Sequence, residues 1–256
     1  MSSSYNFPVR AEIKGKKYSF IEGPDAPRFL EEYNSVIMDT FEYIPNELGK
    51  LSIEDVDRVP TVVGCGLVSS VFANRILKIH GHRTVDISDI HKKLEGENIF
   101  DYSLLEALGV KGVYCLDLGV FLRSRDGSNS DLADKLVDQV EERGFNLEVP
   151  LYIPSYSLEV IRSDLEVGCL ELELGKNPRI VKAPELAHEN NLKYFETTDR
   201  RGFPRFNNKD ESTRRIFTEE GGLTAFSLNE NGDLDSSIEY LSESNNNGRL
   251  VLVNIK

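Results

Sequence analysis

Two glycines separated by one residue, Gly64 and Gly66, stand between a β-branched run over residues 59–63 and a stretch in which Val68, Val71, Phe72, Ile76 and Leu77 recur at helical spacing. Lacking Cβ atoms, they let the chain turn sharply and let a ligand approach the helix N-terminus, where free N–H groups and the helix dipole meet a phosphate or a carboxylate. Gly81 stops the helix, Thr84, Val85 and Ile87 resume a strand, and Asp86 falls 22 residues after Gly64. An acid at that distance suits the hydroxyls of a ribose, and an acid instead of an arginine favours a free 2′-hydroxyl over a 2′-phosphate. Strand, glycine turn, helix and strand form a βαβ unit. The ligand this predicts is an adenosine-type cofactor held by Gly64, Cys65, Gly66, Leu67, Ser69, Asp86 and Ile87.

Other residues could join that chemistry. Asp117 follows a predicted strand over residues 112–116, at the carboxyl-end crevice where open α/β sheets bind ligands; it either holds cofactor or substrate or caps the next loop. Tyr152 and Tyr156 flank Pro154 at the end of another strand and are candidates to line a pocket. Residues 194–215 concentrate Arg200, Arg201 and Arg205 with Phe203 and Phe206, and arginine forks beside aromatic rings suit an anionic or heteroaromatic substrate. Charge balance on a solvated face explains the same arginines. A helix N-terminus lowers a thiol pKa, but a small residue fitting a crowded turn is the simpler role for Cys65. His80 and His82 bracket Gly81 with no ligand-spaced partner, so no metal is expected.

The run GCGLVSS followed by GHRTVDISD resembles dinucleotide-binding Rossmann proteins, with Ser69 where a third glycine is usual. GCG with VDIS, and GVYCLDLGVFL later, is also similar to the cofactor motifs of S-adenosylmethionine-dependent methyltransferases, with Val62 at the position of their first-strand acid and Val68 at that of their third glycine. The βαβ core looks like that of the archaeal pyridinol methyltransferases of guanylylpyridinol cofactor biosynthesis. The resemblance covers about residues 59–122. It implies methyl transfer from S-adenosylmethionine to a small molecule. An NAD-dependent oxidoreductase is the competing enzyme, although no Tyr-x-x-x-Lys hydride-transfer site is present. A non-catalytic nucleotide-binding module is the third reading.

The elements that must position these residues alternate. Residues 5–22 read as a hairpin and residues 27–42 as an amphipathic helix, which would serve as a lid or as a homodimer contact. Residues 45–58 are a polar connection, residues 90–94 and 101–108 short helical stretches, residues 132–143 a helix and residues 145–153 a strand. Beyond residue 157 come strand-like runs at 170–174, 179–182, 193–197, 223–228 and 250–255, helical stretches at 184–190 and 210–220, and a hairpin turn at 229–233. The fold class expected is α/β, a Rossmann-like, mostly parallel sheet with helices on both faces. Three parts are expected: an N-terminal hairpin and helix (1–44), the cofactor-binding core (45–160) and an irregular β-containing addition facing the substrate or a second subunit (161–256).

The bulk properties suit that plan. The 256 residues can bury a large core, and a formal charge of −13 argues against nucleic acid, whose affinity rests on clustered Lys and Arg. Solubility alone explains such acidity. Three scattered cysteines without a Cys-x-x-Cys pair suit reduced thiols. No apolar run reaches a membrane span and no basic-then-apolar signal opens the chain, so a cytoplasmic location is expected.

Overall fold

The computed structural model describes residues 4–13, 15–41, 49–94, 97–100, 115–163, 170–187, 192–206, 214–218, 221–229, 233–238, 241 and 248–255. Strands β1 (Val9–Ile13) and β2 (Lys16–Phe20) form the expected hairpin around Gly15. Helix α1 (Ala26–Phe41) buries Phe29, Tyr33, Ile37 and Phe41, one residue per turn, as the spacing over 27–42 predicts. The stretch read as a polar connection contains β3 (Ser52–Val56), antiparallel to β4 (Val59–Val63). The two-residue turn between them, Asp57-Arg58, has positive φ at both positions and lacks the Asn-Gly signature that would have announced it.

Helix α2 (Leu67–Leu77) follows the glycine turn and continues as one 3-10 turn to Gly81, whose φ of +79° ends it; β5 (His82–Thr84) comes next. Residues 91–94, read as helix, are strand β6 (His91–Leu94), paired with β7 (Glu97–Phe100). The helical stretch expected at 101–108 lies outside the described residues. Strand β8 (Cys115–Leu122) runs longer than the predicted one, and α3 (Ser130–Glu142) matches its stripe of Leu136, Val137 and Val140. Then come β9 (Leu151–Ile153), a single 3-10 turn at Ser155–Ser157, β10 (Leu158–Arg162), β11 (Leu170–Leu174) and β12 (Val181–Lys182). The last part is β13 (Lys193–Thr198), β14 (Pro204–Phe206), β15 (Arg214–Thr218), β16 (Leu223–Asn229), β17 (Leu234–Ile238) and β18 (Val251–Asn254). The helical stretch expected at 210–220 is strand β15 where it is described.

These pairings overturn the expected Rossmann-like, mostly parallel sheet. The large sheet runs β12-β9-β8-β16-β17-β15-β13-β7-β6 with β14 beside β13, and every pairing in it is antiparallel except β15 with β17. The two strands flanking α2 belong to different sheets: β4 pairs with β3, while β5 closes an antiparallel sheet of order β1-β2-β18-β5. Helix α2 is therefore no crossover between parallel neighbours. Periodicity identifies an element but not its partner, and a helix between two strands is compatible with either arrangement.

Two cores hold these layers. One packs α1, α2 and α3 onto β8, β9, β10 and β16 through Phe29, Phe72, Leu136 and Val120. The other fills the space between the two larger sheets, with Tyr18, Phe20 and Val253 facing Phe121, Tyr152 and Phe226. Among the described residues no helix is long and apolar enough to cross a membrane.

Candidate functional site

The seam between the two larger sheets carries the densest polar cluster. After β5 the chain turns at Ile87, Ser88 and Asp89, because Asp86 Oδ1 accepts hydrogen bonds from the Ser88 N–H at 2.7 Å and from the Ser88 hydroxyl. Asp86 Oδ2 accepts from the Tyr156 hydroxyl at 2.6 Å and from Arg179 Nη1. Both oxygens of this fully buried carboxylate are thus taken. Asp89 is paired with Arg83 through both guanidinium nitrogens, at 2.6 and 3.1 Å, and with Lys16 Nζ at 2.6 Å. Burial opposes the Asp89 charge, yet the hydrogen bonds and charges of Arg83 and Lys16 outweigh it and hold the carboxyl below its usual range. Arg83 also lies 4.6 Å from the centre of the Tyr156 ring. Burial, the Asp86 charge and the hydrogen bond to Asp86 push the Tyr156 hydroxyl upward, so it stays a donor.

Exposure differs sharply within the cluster. Asp86 and Asp89 are enclosed, whereas Arg179 and Lys16 keep 36% and 46% of their side-chain surface in solvent. Nη1 makes all of the hydrogen bonds of the Arg179 side chain, to Asp86, Ser88 and Tyr156, which leaves Nε and Nη2 without a hydrogen bond among the described residues.

Behind this cluster is a second, wholly buried one. Asn74 on α2 donates to Thr84 Oγ1 at 2.8 Å and accepts from the Thr84 N–H at 2.9 Å, and Thr84 Oγ1 is 3.1 Å from Ser155 Oγ. The Ser70 and Ser155 hydroxyls and the Gly119 N–H face the carboxyl of Asp117, but Oδ2 of Asp117 and Oγ of Ser70 lack a hydrogen bond of good geometry. Burial pushes the Asp117 carboxyl from 3.8 up to about 7, against those three donors. The backbone explains its placement. Opposite β16 the register shifts between Phe226, paired with Gly119, and Ser227, paired with Asp117, so Leu118 is the extra residue of a β-bulge. Gly119 has φ +135°, and a Cβ there would lie 2.7 Å from Pro154 Cα and 3.0 Å from Ser155 N. Only glycine lets β8 pass this close beneath the Ser155–Ser157 turn.

Several residues singled out in the sequence do meet. Asp86, Ile87, Asp117, Tyr152 and Pro154 gather around that turn, with the Tyr152 hydroxyl donating to Leu118 O at 2.5 Å and facing the Ile87 N–H at 3.4 Å. The arginine segment reaches the same place through Gly202, which packs on Ile87 O, and through Phe203, whose ring is 5.5 Å from that of Tyr152. Arg201 is occupied by Asp199, Glu185 and Lys182 O, while Arg200 and Arg205 are exposed. Gly64, with φ +107°, donates to Gly248 O at 3.0 Å, and Cys65 is buried. At Gly66 no side chain caps α2, Leu67 begins the helix in the core, and Ser69 Oγ donates back to Gly66 O at 2.9 Å. The sequence reading noted Asp89 only as a second acid three residues after Asp86, and missed Arg179, Arg83, Lys16 and Ser70. Nothing local marks Arg179, whose partner Asp86 is 93 residues away. The adjacent acid Asp89 and basic Arg83, three residues either side of Asp86, were the available signal. Among the described residues no group of three or more His, Cys, Asp or Glu could hold a metal ion.

No protein-family model, curated protein or solved structure matches the chain.

Proposed function

We propose that this protein binds a small anionic molecule, a carboxylate or a phosphate ester, at the rim formed by Arg179, Tyr156 and Ser88. The observation that carries the reading is Arg179: one nitrogen fixes it to a buried scaffold, while Nε and Nη2 of this partly exposed side chain make no hydrogen bond among the described residues. A guanidinium held in this way has already lost its rotamer freedom, so a ligand gains paired hydrogen bonds at little entropic cost. Charge favours the same class of ligand. Arg83, Lys16 and Arg179 outnumber Asp86 and Asp89 in a chain that is otherwise strongly acidic. The Tyr156 and Ser88 hydroxyls, whose protons go to Asp86, accept from Nη1 and hold the guanidinium in place.

The cofactor reading is narrower. A ribose diol at Asp86 would have to displace Tyr156, Ser88 and Arg179 from both carboxylate oxygens, so the residues present do not fit ribose recognition by this acid. S-adenosylmethionine, which supplies an electrophilic methyl group, keeps one supporting feature: the end of α2 at Gly66, uncapped by any side chain, whose amides suit a carboxylate. NAD keeps the same feature for its pyrophosphate.

Calorimetric titration with sulfate, acetate, S-adenosylhomocysteine and NAD separates these readings. Saturable binding of sulfate or acetate, weakened at least about tenfold by Arg179→Met, is the expected result. Unchanged affinity in that variant removes the rim from the site. Binding of S-adenosylhomocysteine that survives Arg179→Met would favour methyl transfer and place the cofactor elsewhere.

A further inference from the structure

The turn Ser155–Ser157 connects the buried acid to the proposed rim, one residue for each attachment. Ser155 faces Asp117 and lies 3.1 Å from Thr84 Oγ1. Tyr156 reaches Asp86, and Ser157 Oγ accepts the backbone N–H of Arg179 at 2.9 Å. Two of the three rim residues, Tyr156 and Arg179, are therefore tied to a segment resting on Asp117, and Gly119 brings the β8 backbone directly under it.

We propose that Asp117 is a proton-controlled latch: in its neutral form it lets the Ser155–Ser157 turn seat on β8 and α2, and its ionisation releases the turn and loosens Tyr156 and Arg179. The inference rests on the anion-site reading for its effect on binding, but not for the movement of the turn.

Three neutral donors are all that the surroundings offer an ionised Asp117 among the described residues. From α2 it meets Ser70, from the turn Ser155, and from its own strand the Gly119 N–H; among the described residues no charged side chain adds to these, and burial outweighs all three. Its register partner on β16 is Ser227. Of the ionisable groups on the neighbouring elements, Tyr152 and Tyr156 are held neutral by burial and by Asp86, and the Asp86 charge is committed to Arg179 and Tyr156. A carboxylate forming here has an unsatisfied Oδ2 and a low-polarity enclosure. The ways to solvate it are to move the turn that covers it or to admit water beside it. A carboxyl titrating near 7 does this within an ordinary pH range.

Amide exchange of the free, full-length protein tests the latch, with the Ser157 N–H, bonded to Pro154 O at 2.9 Å, as reporter. After correction for the intrinsic rate, protection at Ser157 should fall at least about tenfold between pH 6 and pH 8.5 in the wild type. Asp117→Asn, an uncharged isostere, should keep its pH 6 protection throughout. Constant protection in the wild type, or an equal fall in Asp117→Asn, overturns the proposal. Sulfate, whose own charge does not change in this range, then reads the effect on the rim. If only the neutral form binds, affinity should drop about thirtyfold over the same interval, and Asp117→Asn should abolish the drop. A latch seen by exchange with no sulfate binding at either pH would remove the anion-site reading and leave the latch standing.

Discussion

Asp117 is costly to this fold as a charge. Its carboxyl titrates near 7 when folded and near 3.8 when free, so between those values the unfolded chain has released the proton while the folded one still holds it. Stability contributed by this group is therefore full below pH 3.8, falls as pH rises to about 7, and stays low above it. Replacing it by asparagine should stabilise the protein by an amount near zero at pH 4 and approaching about 4 kcal/mol at pH 8. Urea denaturation at the two pH values checks this, and a stabilisation of equal size at both would contradict it. Asp86 is the opposite case, a buried acid fully satisfied by its neighbours. Arg179→Met leaves it with Tyr156 and Ser88, and should destabilise by about 2 kcal/mol, less than for a fully enclosed pair because Arg179 is partly exposed. The sequence exposed Asp86, Asp117 and Tyr156 as residues of interest through predicted positions at strand ends, although Asp117 stands inside β8 and not at the end of a strand. Their actual partners were hidden, since hydrogen bonds to Arg179 and Ser155 span long stretches of chain that no local spacing encodes.

Strand β8 depends on Gly119 as well as on its buried apolar residues. With φ +135° and Ile153 O and Pro154 Cα against the missing Cβ, Gly119→Ala should destabilise by about 3 kcal/mol and shift the Ser155–Ser157 turn. Thermal melting reads the first effect, and an unchanged midpoint would mean that β8 crosses the turn less closely than described. A contrasting substitution is Leu136→Ala on α3, where burial alone predicts a loss of about 3 kcal/mol with no effect on the turn. Elements with long periodic stripes were legible: α1, α2, α3, β4 and β16 stand where residue spacing puts them. Short strands at 170–174, 193–197 and 250–255 were legible too, but two others were not. Residues 91–94 and 214–218 carry polar and basic side chains without clear alternation, and only their strand partners fix them as β-structure.

The architecture as a whole follows from pairing rather than from order along the chain. Strand β18, from the last part of the chain, lies between β2 and β5 and supplies Val251 and Val253 to the core between the sheets. Removing residues 248–256 should abolish cooperative unfolding altogether, whereas a peripheral strand could be lost at modest cost. Far-UV circular dichroism on heating distinguishes the two. The alternation of strands and helices over residues 59–153 suggested parallel crossovers because β4, α2, β8 and α3 were correctly typed there, and the same elements close just as well into hairpins. What survives of the central βαβ reading is the placement of its second strand: β5 delivers Asp86 to the seam, where it holds Arg179 at the surface.

That role of Arg179 is tested most directly by nuclear magnetic resonance of arginine side chains during titration with sulfate at pH 6. The Arg179 Nε–H resonance should shift saturably, and in Arg179→Met no other arginine should take over that saturable response. A linear, unsaturable drift spread over exposed arginines such as Arg200 and Arg205, with Arg179 unmoved, would contradict the account.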